Sequence, residues 1–125
     1  MIDHVSVAVR NLAAAGAFYE AMLAPLKLAR LVVREGTIGF GKSYPELWLN
    51  RSEDVPRTPN AACHICLRAP DEAAVRAFHA AALAHGGRDA GPPGPRQAAM
   101  TPYFGAFVLD PDGNKLEAAT FPGRG

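Results

Sequence analysis

The chain carries one pattern twice. His4-Val5-Ser6-Val7 begins one half, and His64-Ile65-Cys66-Leu67 begins the other, sixty positions on. The same offset aligns Ala14 with Ala74, Ala17 with Ala77, Phe18 with Phe78 and Leu23 with Leu83. Each copy reads as a short apolar strand headed by a histidine, then an alanine-rich helix. A repeat constrains architecture before any local signal does, because each copy is a supersecondary unit that must bury its apolar face. This repeat also sets two histidines at equivalent points of equivalent strands, which suits a metal site built from pseudo-twofold halves.

Local signals fill in the two copies. Residues 2–9 alternate and are rich in valine, so they predict a strand. Asn11 is an N-cap candidate for a helix over about 12–24, with Leu12, Ala15, Phe18, Tyr19 and Met22 on its apolar face and Pro25 ending it. Strands are expected at about 28–34, 37–41 and 46–50. Residues 51–61 are polar and proline-bearing, and 56–61 are read as the linker between a first unit, 1–55, and a second, 62–125, within one domain. In the second unit a strand at 62–69 precedes a helix at 71–85 capped by Asp71 and stopped by Gly86-Gly87. A weak strand is expected near 88–90, a loop over the proline-glycine run 91–95, and strands at 103–109 and 115–121 around the turn Asp110-Pro111-Asp112-Gly113-Asn114. The fold class is thus α+β: two βαβββ modules forming an open, barrel-like eight-stranded sheet around a cavity.

Composition narrows the functional classes. The length of 125 residues suits one domain, and 49% of them are hydrophobic, enough for a sizeable core. The net charge is +1 and dispersed, so no basic stripe points to nucleic acid. No apolar run approaches the roughly 20 residues of a membrane span. No charged and then apolar leader opens the sequence, so the expected compartment is the cytoplasm. Cys63 and Cys66 form C-x-x-C inside a strand pattern, where alternation sends them to opposite faces. A disulfide there has poor geometry, and two reduced cysteines are expected. His79 and His85 fall on the second helix and are expected to be solvent-exposed.

Strand parity then sorts the polar residues. His4, Ser6 and Ala8 oppose Val5, Val7 and Val9. Glu46, Trp48 and Asn50 oppose Leu47 and Leu49. His64, Cys66 and Arg68 oppose Ile65 and Leu67, and Lys115 and Glu117 oppose Leu116 and Ala118. Two histidines and two carboxylates therefore share the faces turned from the core, a donor set suited to a divalent ion such as Zn²⁺, Ni²⁺, Mn²⁺ or Fe²⁺. Arg68 on the same face suits an anionic substrate or a salt bridge.

Four pieces of sequence carry a family resemblance: His4 in the first strand, Ala17-Phe18-Tyr19-Glu20, His64, and Phe107-Val108-Leu109-Asp110-Pro111-Asp112-Gly113-Asn114-Lys115-Leu116-Glu117. With them the chain resembles the vicinal oxygen chelate superfamily, which includes glyoxalase I, fosfomycin- and bleomycin-resistance proteins, extradiol dioxygenases and methylmalonyl-CoA epimerase. Glu46-Leu47-Trp48-Leu49-Asn50 is similar to the metal-binding strand of glyoxalase I. The resemblance implies His4, Glu46, His64 and Glu117 as metal ligands and Glu117 as the carboxylate that moves a substrate proton. It also implies a small-molecule substrate with vicinal oxygens and a homodimer. Trp48, Asn50, Arg68, Tyr103 and Phe107 are the candidate substrate contacts.

Three activities remain open at this stage. They are a glyoxalase-like metal-dependent lyase or isomerase, an extradiol-type dioxygenase, and a metal-free small-molecule binder of the bleomycin-resistance kind. Ala8 stands where glyoxalase I usually carries an arginine for glutathione. No potassium loop or phosphonate-binding cation cluster of a fosfomycin thiol transferase is evident.

Overall fold

The structure, a computed structural model, describes residues 1–55, 62–97 and 100–122. Each half is a βαβββ module. The first contains β1 (Val5–Val9), α1 (Leu12–Leu23), a 3-10 turn (Ala24–Leu26), β2 (Ala29–Arg34), β3 (Thr37–Gly41) and β4 (Pro45–Arg51). The second contains β5 (Ile65–Arg68), α2 (Glu72–Ala84), β6 (Arg88–Gln97), β7 (Pro102–Leu109) and β8 (Lys115–Thr120). The eight strands form two four-stranded sheets, ordered β1-β4-β3-β2 and β5-β8-β7-β6. The repeat is thus reproduced strand for strand, and neither sheet closes on itself. The expected linker, 56–61, and the last three residues of the second module lie outside the described residues.

The helices form where the sequence provides caps. Asn11 accepts from the Ala14 N–H at 3.0 Å, and Asp71 accepts from the Ala74 N–H at 2.8 Å. Each bond satisfies one of the first-turn donors that a helix leaves open. Pro25 falls inside the 3-10 turn that extends α1, a position where its missing N–H costs no hydrogen bond. Gly86, at φ +99°, turns the chain after α2 in a conformation that few other residues adopt readily.

One core serves both modules. Phe18, Tyr19, Met22 and Leu23 of α1 pack with Phe78 and Val75 of α2, and with Leu47, Leu49, Leu116 and Val108 of the two sheets. Each fully buried side chain of this size stabilises the fold by about 1.5–3 kcal/mol relative to exposure. Among the described residues no helix is long and apolar enough to cross a membrane.

Two expectations are corrected. The proline-glycine run 91–95 is not a loop, since β6 continues from Arg88 to Gln97. It is the edge strand of its sheet, bonded on one side only, where prolines are tolerated. Register shifts between Asp89 and Gly91 and between Gly91 and Gly94 absorb its irregularity. His79 is not a free surface residue either. Its side chain is only 12% exposed and pairs with Asp89 at 2.8 Å.

The modules are tied by polar contacts as well. Asp110, 1% exposed, accepts a hydrogen bond from the α1 residue Tyr19 at 2.5 Å. Removing the hydroxyl leaves a buried acceptor short of one donor, so Tyr19→Phe is expected to destabilise the protein by about 1.5–3 kcal/mol. Urea unfolding of the two proteins side by side measures this, and a change under 0.5 kcal/mol would show that the contact contributes little.

Candidate functional site

The faces of the sheets turned away from the helices carry the polar residues singled out by parity. β5 and β8 run parallel with Cys66 beside Glu117 and Arg68 beside Ala119, and β7 sets Phe107 on the other side of Glu117. His64, one residue before β5, is thereby brought to Glu117, with Nε2 3.1 Å from Oε1. Tyr103 donates to the other carboxylate oxygen, Oε2, at 2.6 Å. Cys66 stands beside Glu117 on the paired strand. Glu117 is 3% exposed although it faces away from the core. A carboxylate this buried needs partners, and His64 and Tyr103 supply them.

The aromatic residues complete the surroundings. Phe107 meets the His64 ring edge-on at 5.2 Å. Lys115 and Arg96 place their cationic groups 5.0 and 5.3 Å from the Phe107 ring centre. Tyr103 stacks on Phe121 at 5.1 Å, and Phe121 carries the Arg68 guanidinium at 5.0 Å. Glu117, His64, Tyr103, Phe107 and Arg68 thus belong to one surface of the second sheet.

His4, Glu46, Trp48 and Asn50 belong to the other sheet. β1 and β4 are parallel from Val5–Leu47 onward, so His4 and Glu46 stand one step before the first registered pair. His4 is half-exposed and bonded to Asp3 at 2.6 Å, while Glu46 is exposed. The bond to His4, and then one from Tyr44, hold the Asp3 carboxyl below the usual carboxylate range. Trp48 lies over Gly39, whose missing side chain makes room for the indole: an added Cβ would stand 2.9 Å from the ring. Asn50 Oδ1 receives the Thr37 hydroxyl at 2.7 Å.

Of the expected ligands, His64 and Glu117 are in contact, while His4 and Glu46 stand at the starts of neighbouring strands with His4 bonded to Asp3. Among the described residues, no group of three or more His, Cys, Asp or Glu side chains is arranged to hold a metal ion. The His64–Glu117 pair has one nitrogen and one oxygen donor, too few for a tetrahedral or octahedral site on its own.

The same fold occurs in known proteins. A protein from Albidiferax ferrireducens described as a glyoxalase/bleomycin resistance protein shares 29% identity over 97% of this chain and 99% of its own, with a TM-score of 0.87. The profile of the Glyoxalase/Bleomycin resistance protein/Dioxygenase superfamily matches residues 1–118. The chain belongs to this superfamily. A glyoxalase-related enzyme from Fulvimarina pelagi is 18% identical over 98% of this chain and 88% of its own, with a TM-score of 0.74. The fosfomycin resistance protein FosX from Mesorhizobium loti is 17% identical over 98% and 93%, with a TM-score of 0.71. At these identities the last two likenesses concern the fold alone. No curated protein sequence matches the chain. Within this superfamily scaffold, sequence parity identified Glu117 and its face but missed Cys66 as a neighbour. The signal was present, because Cys66 and Glu117 fall opposite each other once the first and last strands of a module pair in parallel.

Two of the Glu117 neighbours hold their protons unusually tightly. Burial, and then the negative charge of Glu117, push the Cys66 thiol up to about 12. Burial, and then the hydrogen bond to Glu117, push the Tyr103 hydroxyl up to about 12. The folded state thus binds these protons more tightly than the unfolded state, whose ordinary values are 9.0 and 10.0. Their stabilising contribution is whole below pH 9 and declines as pH rises toward 12. Cys63 and Cys66 are both exposed, so at pH 9 iodoacetamide, which needs the thiolate, is expected to label Cys63 faster than Cys66 because of the raised Cys66 thiol, and Glu117→Gln should speed labelling of Cys66. Peptide mass spectrometry over a time course reads both, and equal rates at the two cysteines would refute the assignment.

Proposed function

We propose that the protein is a glyoxalase-like, metal-dependent lyase or isomerase acting on a small substrate with vicinal oxygens. The observation that carries this reading is the 3.1 Å approach of His64 Nε2 to Glu117 Oε1 on the open face of the second sheet. The first sheet offers a matching half, because parallel pairing sets His4 and Glu46 at equivalent points of β1 and β4. Two copies of the chain, each supplying one half, would bring two imidazoles and two carboxylates to one ion. The edge strands β1 and β5, each paired on one side only, give a homodimer its natural seam.

In this reading His4 and Glu46 of one copy and His64 and Glu117 of the other would hold the ion. Such an ion, when bound, supplies Lewis acidity toward substrate oxygens. The chain's own residues do the rest. Glu117 takes a proton from substrate carbon and returns it to the neighbouring one. Tyr103 holds Oε2, which leaves Oε1 as the oxygen that exchanges protons. Trp48, Asn50, Phe107 and Arg68 shape and orient the substrate.

A second reading has one observation in its favour. Trp48 lies over Gly39 and offers an aromatic surface on which a planar ligand can stack without any metal. A binding protein of the bleomycin-resistance kind would use that surface.

Metal titration separates the two. Chelator-stripped protein is expected to bind one divalent ion per chain, with His64→Ala and His4→Ala each abolishing binding. Mixing the two variants, with unfolding and refolding to exchange chains, should restore binding to mixed dimers, because each contains one site with both histidines. Failure to restore would mean that the site is not shared. No binding to the unaltered protein would leave ligand stacking on Trp48 as the function. Turnover, once a substrate is found, should fall at least about 100-fold in Glu117→Gln, in line with loss of a general base.

A further inference from the structure

A cleft of about 630 Å³, whose lining includes neither His64 nor Glu117, opens where the two modules meet. Lys27 and Lys42 line it from the first module, and Arg68 from the second. Among the described residues none of the three forms an ion pair. The only charged-group contact recorded for them is the Arg68 guanidinium over Phe121 at 5.0 Å. Two carboxylates also line the cleft: Asp71 is engaged in capping α2 at 2.8 Å, and Glu72 lies in the first turn of that helix. Ala69, Pro70, Phe121 and Pro122 give it an apolar wall.

Both lysines are held there by the backbone. Lys27 is the one non-glycine residue with positive φ among the described residues, +66°, at the end of the 3-10 turn, where its N–H bonds to Ala24 at 3.0 Å. A left-handed conformation costs an ordinary residue roughly 1–2 kcal/mol, so glycine would suit the position better. Lys42 follows Gly41, which tolerates no side chain because an added Cβ would collide with the Tyr44 carbonyl. Three cations are thus gathered around one concavity with no acid to neutralise them all, and a strained lysine is among them. With Asp71 and Glu72 counted, the lining carries a net charge of +1, which attracts an anion.

We infer that this cleft binds an organic phosphate: a dianionic phosphate group held by Lys27, Lys42 and Arg68, with an apolar or aromatic body against Phe121 and the prolines. The inference uses none of the four proposed metal ligands and shares only Arg68 with the proposed substrate face, so its test rests on Lys27 and Lys42.

Phenyl phosphate is the probe, with phenol and inorganic phosphate as its two halves. Calorimetry and amide NMR shifts are expected to show saturable binding of phenyl phosphate, competition by inorganic phosphate and weaker binding of phenol. Affinity should fall as salt rises. Lys27→Gly and Lys42→Gln should each weaken binding roughly three- to fivefold, the range of an exposed ion pair. Lys27→Gly also relieves the left-handed strain, so its melting temperature should not drop, and lost binding cannot then be ascribed to unfolding. Absence of saturable binding would overturn the inference. So would binding indifferent to salt and to both variants, or phenyl phosphate binding that inorganic phosphate does not displace.

Discussion

The arrangement of the two modules depends on one buried carboxylate. Asp110 accepts from the Tyr19 hydroxyl, the Asn114 side chain and the backbone N–H groups of Asp112 and Asn114. Asn114 in turn donates to the Ala8 carbonyl at 2.9 Å, and Arg10 reaches Asp112 at 3.0 Å and the Val55 carbonyl at 2.8 Å. The β7–β8 turn of one module is therefore fastened to α1 and to the end of β1 in the other. Burial pushes the Asp110 carboxyl up, against the hydrogen bonds from Tyr19 and Asn114 that pull it down. Desolvation of this magnitude is tolerated only where nearly every lone pair is used. Since β8 starts five residues after Asp110, the same node fixes where Glu117 stands.

The repeat supplies symmetry, and the side chains break it. Both modules pair their first and last strands in parallel, so each sets a histidine near a glutamate. In the first sheet the positions around them are occupied by Ser6, Gly39 and Trp48, and His4 turns to Asp3. In the second, Tyr103, Cys66 and Phe107 surround Glu117 and exclude water from it. The registers differ in what they place there: Trp48, beside Ser6, is the counterpart of Glu117, beside Cys66, and Glu46, level with His4, is exposed while Glu117 is nearly buried.

Much of this was legible because it rests on local chemistry. Asn11 and Asp71 cap helices through bonds within four residues of sequence, and the valine alternation of β1 needs only burial on one face. The parity that grouped His64 with Glu117 is a property of any strand. What escaped depends on distant partners. The proline-glycine composition of 91–95 reads as a loop, yet β7 offers it a template, and only the edge location makes that pairing possible. His79 looks like a surface residue until Asp89 is brought alongside it. Asp110 reads as a turn residue, and its burial follows only from Tyr19, ninety-one positions earlier.

The environment of Glu117 bears on what it can do. Cys66 and Tyr103 remain protonated through the neutral range, so Tyr103 donates to the carboxylate and neither competes with it as a base. The two oxygens are not equivalent. Oε2 is held by a phenol at 2.6 Å, and Oε1 by an imidazole nitrogen at 3.1 Å. A phenolic donor on a short bond is the harder to displace, whereas an imidazole can rotate or exchange its tautomer. Any ligand that enters the face will therefore compete first for Oε1 and for the His64 nitrogen, with Oε2 fixed as the pivot. That asymmetry gives one glutamate a defined working edge, which a solvent-exposed carboxylate such as Glu46 does not have on its own.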